Sequence, residues 1–272
     1  MKLIYLVALT FVLSLHVTYN ESGDDWTGTC QDGMLQSPFA IKDSKSEIIP
    51  TNTTRSVVLY PHFESNFTMG HLTSYSYALY SDWGYLTIAV PSQEPFNVYS
   101  SAFHFHSPSE YMLNGKYYDL EMHTVMKNPN APGSIYVLGI FFDVNGKTNK
   151  FISQVMDSEK KFTDVNLGDI FSGIDKIEEF YEFEGSLTTP PCTEGVKWFL
   201  WSEIQDLDEN QRLFFHKFWA GNASFADKNG NNRNLQEEND RLVIKYGERD
   251  DMSIKLEFSI FLLIVSISLC LS

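Results

Sequence analysis

The 272-residue chain carries 35 acidic against 20 basic residues, a formal net charge of −15, and 43% of it is hydrophobic. A surface this acidic repels phosphate backbones and anionic lipid headgroups, which argues against nucleic acid as a partner. The apolar share is ample for a packed core and too high for a disordered chain.

At the N-terminus, Lys2 precedes an apolar run from Leu3 to Val17 that turns polar at Asn20. A basic start and an apolar core too short to span a bilayer read as a secretory signal peptide over residues 1–19. Residues 20–251 then form one domain of 232 residues. Without Lys2, Lys255 and Glu257, the remaining 18 basic and 34 acidic residues leave it at −16. Four Asn-x-Ser/Thr sequons, at Asn20, Asn52, Asn66 and Asn222, agree with secretion and are glycosylation candidates.

Short β-rich runs follow in chain order: Val57 to Tyr60, Tyr85 to Val90, Ser101 to His106, Lys116 to Met126, Ser134 to Phe142 and Gly195 to Trp201. Helical periodicity is scarce. One short helix is expected over Lys150 to Met156. A second is expected over Asp208 to Ala220, where Asp208 and Gln211 can form a capping box ahead of Leu213, Phe214 and Phe218. With no repeat and no long linker, the pattern predicts a single, mainly β domain with a few short surface helices around a mostly antiparallel sheet.

Phe258 to Ser272 is almost wholly apolar, follows a polar stretch with Gly247, Asp250, Asp251 and Ser253, and carries no later Lys or Arg. Residues 252–272 therefore read as a glycolipid-anchor signal whose tail is removed, with a short single-pass span as the alternative. Of the three cysteines, Cys270 lies in that tail, leaving Cys30 and Cys192 as one even pair. In an oxidising compartment such a pair forms a disulfide.

The chemistry concentrates in FHFHSPSEYMLNGKYYDLEMH, Phe103 to His123. Alternate strand residues face one way, so His104 and His106 project from one face about 7 Å apart. Asn114-Gly115 is a strong two-residue hairpin signal. A turn closing there pairs Leu113 with Lys116 and brings His123 opposite His106. Three imidazoles suit one zinc ion and leave a fourth position open for catalysis, with copper or iron as alternatives by ligand type. Glu121 shares the strand parity of His123 and can accept its second N–H.

These segments resemble the alpha-class carbonic anhydrases. The His-x-His strand, Ser107 to Glu110 and Asp119 to His123 are similar to that family's zinc hairpin. GSLTTPPCTEGVKW (Gly185 to Trp198) resembles its active-site loop and QSPFAI (Gln36 to Ile41) its N-terminal signature. VLGIFF (Val137 to Phe142) and NNR (Asn231 to Arg233) add to the likeness, in the family's order. The resemblance implies a wide, twisted central sheet with zinc at the foot of a cleft. It also implies reversible hydration of carbon dioxide to bicarbonate and a proton through a zinc-bound hydroxide.

Position by position it implies His104, His106 and His123 as zinc ligands, Thr188 as the acceptor for the hydroxide's hydrogen and Glu110 as the acceptor for the Thr188 proton. Val125, Val137, Leu187, Val196 and Trp198 match the apolar pocket wall, and Thr189 a second polar residue near the substrate. Cys30 and Cys192 match the disulfide of extracellular members. His71, after Gly70, resembles the proton-shuttle position, with His62 as fallback. Three departures stand out. Ala102 replaces a glutamine that braces the first ligand, Tyr111 replaces a common histidine, and the stretch between Asn20 and Cys30 is expected to be too short for the usual aromatic N-terminal segment, leaving part of the cleft rim missing. The competing readings are a carbonic-anhydrase-like surface binding module and another zinc hydrolase. The latter lacks a His-Glu-x-x-His helix here.

Overall fold

Most of the chain's turns separate neighbouring strands of one wide sheet. The computed structural model describes residues 17–248, except 52, 223 and 226–229. The strands are β1 (Ala40–Ile41), β2 (Glu47–Ile49), β3 (Val58–Phe63), β4 (Ser65–Thr68), β5 (His71–Leu72), β6 (Tyr77–Tyr80), β7 (Gly84–Ala89) and β8 (Phe96–His106). They continue with β9 (Met112–Leu113), β10 (Leu120–Lys127), β11 (Ile135–Val144), β12 (Thr163–Asn166), β13 (Phe180–Ser186), β14 (Glu194–Trp201), β15 (Gln205–Leu207) and β16 (Val243–Tyr246). The α-helices are α1 (Thr29–Asp32), α2 (Lys150–Asp157) and α3 (Glu209–His216).

Twelve strands share the main sheet in the order β2-β16-β13-β14-β11-β10-β8-β6-β5, with β15 on β11 and β3–β7 attached through β8. Pairing is antiparallel except at β11–β14, β11–β15 and β16–β2. The fold class expected from the pattern is the one observed. Phe103, Phe105, Met122, Leu138 and Ile140 face a large core that also holds Phe151, Phe214 and Phe215 from α2 and α3. The opposite face carries the histidines and a smaller apolar layer with Val137, Phe141, Val196 and Trp198. Strand alternation thus sends one face to packing and the other to chemistry. Helix α3 forms with both halves of the Asp208/Gln211 capping box in place.

The hairpin register differs from the expected one. The Asn114-Gly115 turn does form, with φ of 50° and 84° and reciprocal Leu113–Lys116 bonds. Yet His106 lies opposite Glu121, and His123 opposite His104. The ladder does not run continuously from the turn: β8 stops at His106, Pro108 has no N–H to donate, and the Glu110 and Tyr111 N–H groups go to the Glu121 side chain. The strands therefore re-pair two positions out of step. A slip of one would turn the histidines to the other face, whereas a slip of two keeps all three together.

Aromatic residues do pack ahead of Cys30, and one of them, Tyr19, precedes the expected start of the domain at Asn20. Tyr19 is 1% exposed, packs edge-on against Trp26 at 5.3 Å and touches Phe225 at 6.1 Å. Trp26 donates from Nε1 to the Thr18 carbonyl at 3.0 Å, and Val17 is buried in the same cluster. The polarity change at Asn20 marks a surface turn beyond residues that already belong to the packing.

Asn20 is exposed, Asn66 is half-buried on β4 with its amide on the Asp82 carbonyl, and Asn222 is half-buried. Asn52, residues 1–16 and residues 249–272, with most of the leader and the tail, lie outside the described residues. Among the described residues no helix is long and apolar enough to cross a membrane.

Candidate metal centre

Adjacent strands β8 and β10 bring His104, His106 and His123 together, with one nitrogen from each within 4.8 Å of the others. Their ring centroids lie 4.7 to 5.2 Å apart. Burial holds His106 down at about 4 and His123 at about 3, and pushes His104 well below its usual range, with the neighbouring imidazoles adding to it. All three are neutral at physiological pH, the state a metal needs.

Two of the rings are oriented by specific partners. His106 donates from Nδ1 to the Asn231 carbonyl at 2.7 Å, leaving a buried, unpartnered Nε2. His123 donates from Nε2 to Glu121 Oε1 at 2.7 Å, which turns Nδ1 to the cluster. Glu121 is itself held by the Glu110 and Tyr111 N–H groups at 2.8 and 2.9 Å. Burial drives Glu121 up to about 8 and those two bonds oppose it. His104 is half-buried and has no such partner among the described residues: Ala102 precedes it on the same face and Ala78 lies directly across.

Glu110 is fully buried 3.5 Å from His106 Nε2 and 3.9 Å from His123 Nδ1. Burial raises it to about 7, while His106, the nearby Thr188 side chain and the Arg233 N–H all favour its charged form. The Arg233 N–H reaches Oε1 at 2.9 Å, whereas Oε2 has no partner at ordinary hydrogen-bonding distance. A cation beside these groups would favour both carboxylates as anions. Three neutral imidazoles, one with an orphaned nitrogen aimed inward, are a fitting donor set for zinc.

His104 and His106 line a cavity of about 270 Å³, together with Tyr19, Thr73, Tyr75, Tyr80, Val125 and Thr189. Val137, Val196 and Trp198 sit enclosed in the apolar layer behind it, with Leu187 packed alongside and Trp198 4.9 Å from His123. Thr188 is buried. Cys30 and Cys192 form a disulfide.

A match to the eukaryotic-type carbonic anhydrase family model covers residues 21–247. The chain belongs to that family. A carbonic anhydrase of Klebsiella pneumoniae is 33% identical over 228 residues, 80% of this chain and 82% of that protein. Alpha carbonic anhydrase 3 of Arabidopsis thaliana is 40% identical over 115 residues, only 40% of each chain, and alpha carbonic anhydrase 4 matches over 66% of its length. Among solved structures, the alpha-carbonic anhydrase of Thermovibrio ammonificans bound to sulfanilamide superposes with a TM-score of 0.61 at 28% identity, covering 80% of this chain and 89% of that one. A Chlamydomonas reinhardtii carbonic anhydrase in complex with acetazolamide gives 0.63 at 27%, covering 82% and 95%.

Within this carbonic anhydrase frame, His71 is exposed on β5 across from Ala78, outside the cavity lining. Its ring meets Tyr80, a lining residue, edge-on at 6.4 Å. His62 stacks on Tyr85 at 4.7 Å, on β3. Sequence reasoning matched Asn231 to Arg233 without seeing what the segment does. Asn231 holds His106 through its carbonyl and Phe105, Ser107 and Tyr75 through its amide, while Arg233 holds Glu110 and bridges to Gln36, Ser37 and Cys30. Tyr19 was missed as a cleft residue, and its spacing from Trp26 was the available signal.

Proposed function

We propose that the protein is a zinc carbonic anhydrase that converts carbon dioxide and water to bicarbonate and a proton, with His104, His106 and His123 holding the metal. The observation that carries this reading is the set of three clustered, neutral imidazoles, two of them buried and oriented by Asn231 and Glu121. Bound there, zinc supplies a Lewis acid that makes water nucleophilic near neutral pH. The protein's own groups do the positioning. Thr188, donating its proton to Glu110, can only accept from the nucleophile and so points a lone pair of the nucleophile at the carbon. Val125, with Val137, Leu187, Val196 and Trp198 behind it, offers the unpolarised substrate an apolar wall, and Thr189 a polar edge. An isotope-exchange assay of the purified chain is expected to show hydration above the buffer rate. Exchange at the buffer rate by zinc-loaded protein would favour a binding module.

Proton export is assigned to His71, supported by its exposure and its contact with Tyr80 at the cleft. His71→Ala is expected to lower the maximal rate in weak buffer and leave kcat/KM nearly unchanged, because export follows the chemical step. Imidazole buffer is expected to restore part of the loss. Equal maximal rates for variant and wild type in weak buffer would remove His71 from the route.

The reading places the domain outside the cell, supported by the disulfide and by the apolar segments at both ends. The packing of Val17, Thr18 and Tyr19 supports cleavage of the leader before residue 17 rather than at Asn20. N-terminal sequencing of secreted protein is expected to start at or before Val17. Phospholipase specific for glycolipid anchors is expected to release the protein from membranes. A start at Asn20, or a chain that resists the phospholipase and retains residues 258–272, would contradict the respective half. Carbon dioxide and bicarbonate are the partners at the site, and the outer leaflet is the partner of the tail.

A further inference from the structure

The three imidazoles of the cluster are not held alike. His106 has its Nδ1 on the Asn231 carbonyl and His123 its Nε2 on Glu121, each at 2.7 Å. Both acceptors are themselves fixed. The Asn231 side chain ties Phe105, Ser107 and Tyr75, and Glu121 takes the N–H groups of Glu110 and Tyr111. His106 and His123 are also enclosed, at 2% and 1% exposure. Neither ring can turn without breaking a buried hydrogen bond. His104 has none of this. It is half-buried, and among the described residues its ring nitrogens have no hydrogen-bond partner in the protein. Its ring meets His106 and His123 edge-on, at 5.1 and 5.2 Å. The positions best placed to brace it are both alanines: Ala102, two residues earlier on the same strand face, and Ala78, directly across on β6. Neither side chain carries a donor or an acceptor. Both line the 270 Å³ cavity beside His104, so the ring has open space on the flank that they leave low.

We propose that the centre is built as a fixed pair and one swinging ligand: His106 and His123 hold the metal in place, while His104 turns in and out of the cavity and is the donor that lets go first. The proposal rests on the reading of these histidines as a zinc site. A hydrogen-bond partner behind a ligating histidine raises metal affinity about 10–100-fold, because it holds the ring in its binding orientation before the metal arrives and makes the ring a better donor. A ligand without such a partner is ordered anew at each binding event, and a competing donor displaces it first. With only three protein donors, loss of one opens the centre to exchange, so the exchange rate of the whole site is set at His104. Ala78 and Ala102 are therefore the positions that tune metal affinity here. The consequence is regulatory: the fraction of the protein that carries zinc follows the zinc concentration around the domain instead of being fixed once at folding.

The test uses the zinc-loaded full chain. Ala102→Gln gives His104 an acceptor within reach on its own strand face. Release of zinc to an excess of the colorimetric chelator pyridylazoresorcinol is expected to be about tenfold slower in Ala102→Gln than in wild type, with zinc content and circular dichroism unchanged. Ring N–H signals in the nuclear magnetic resonance spectrum of the same zinc-loaded proteins, labelled with nitrogen-15, give a second reading. Two slowly exchanging ring protons are expected in wild type, from His106 and His123, and a third, from His104, that exchanges fast with water and slows in Ala102→Gln. Equal release by the two proteins, or a wild-type His104 proton as protected as the other two, overturns the proposal and leaves the three ligands standing. A chain that takes up no zinc removes the reading of the site, and the proposal with it.

Discussion

His106→Ala and His123→Ala are each expected to yield folded protein that has lost most of its zinc and, with it, carbon dioxide hydration. Each substitution removes one of three donors, and in each case an orienting partner is left behind: the Asn231 carbonyl for His106, Glu121 for His123. Loss of an orienting partner alone costs about 10–100-fold in metal affinity. Loss of the donor itself must exceed that. Glu121→Ala therefore makes a graded comparison, expected to retain metal more weakly than wild type and more strongly than either histidine variant. Metal analysis after dialysis against a chelator, with circular dichroism to verify folding, reads the series. Wild-type metal content in His106→Ala or His123→Ala would remove those residues from the site.

Cys30→Ser is expected to destabilise the domain heavily. Its disulfide joins residues 162 apart, and chain entropy alone assigns a loop of that size about 5 kcal/mol. Activity is expected to fall as well, because the bridge sits beside the Thr188 loop. The Cys192 N–H bonds the Thr189 carbonyl at 2.9 Å, Gln36 donates to the Cys192 carbonyl at 3.2 Å, and Arg233 donates to the Cys30 carbonyl at 2.6 Å. Denaturant unfolding of Cys30→Ser and of the Cys30→Ser/Cys192→Ser double variant measures the loss without a stray thiol deciding the result. A loss below about 1 kcal/mol in both would show that the packing of Tyr19, Trp26 and Arg233 holds this corner without the bridge.

Strand alternation alone puts His104 and His106 on one face, because period two is a property of the strand. Asn114-Gly115 is likewise local, and its turn forms as expected. The pairing beyond that turn was not legible, since it depends on the side chain of Glu121 taking the N–H groups of Glu110 and Tyr111 in place of the strand ladder. Non-local contacts of that kind leave no mark in a short window. The same holds for Asn231 and Arg233, whose roles appear only when a segment over a hundred residues downstream folds back onto His106 and Glu110. Strand β13, like several shorter strands, is not legible in the sequence: it is largely buried on both sides and does not alternate cleanly. The N-terminal boundary is hard to read for a different reason. Polarity marks where a chain meets water, and at Asn20 it marks a surface turn next to packing that includes Val17 and Tyr19.

The account stands on zinc held by three imidazoles, and X-ray absorption at the zinc edge of the purified native chain measures this most directly. The expected spectrum shows one zinc per chain with three imidazole nitrogens at about 2.0–2.1 Å and no sulfur scatterer. Zinc-free protein, or a zinc bound through sulfur, would contradict it.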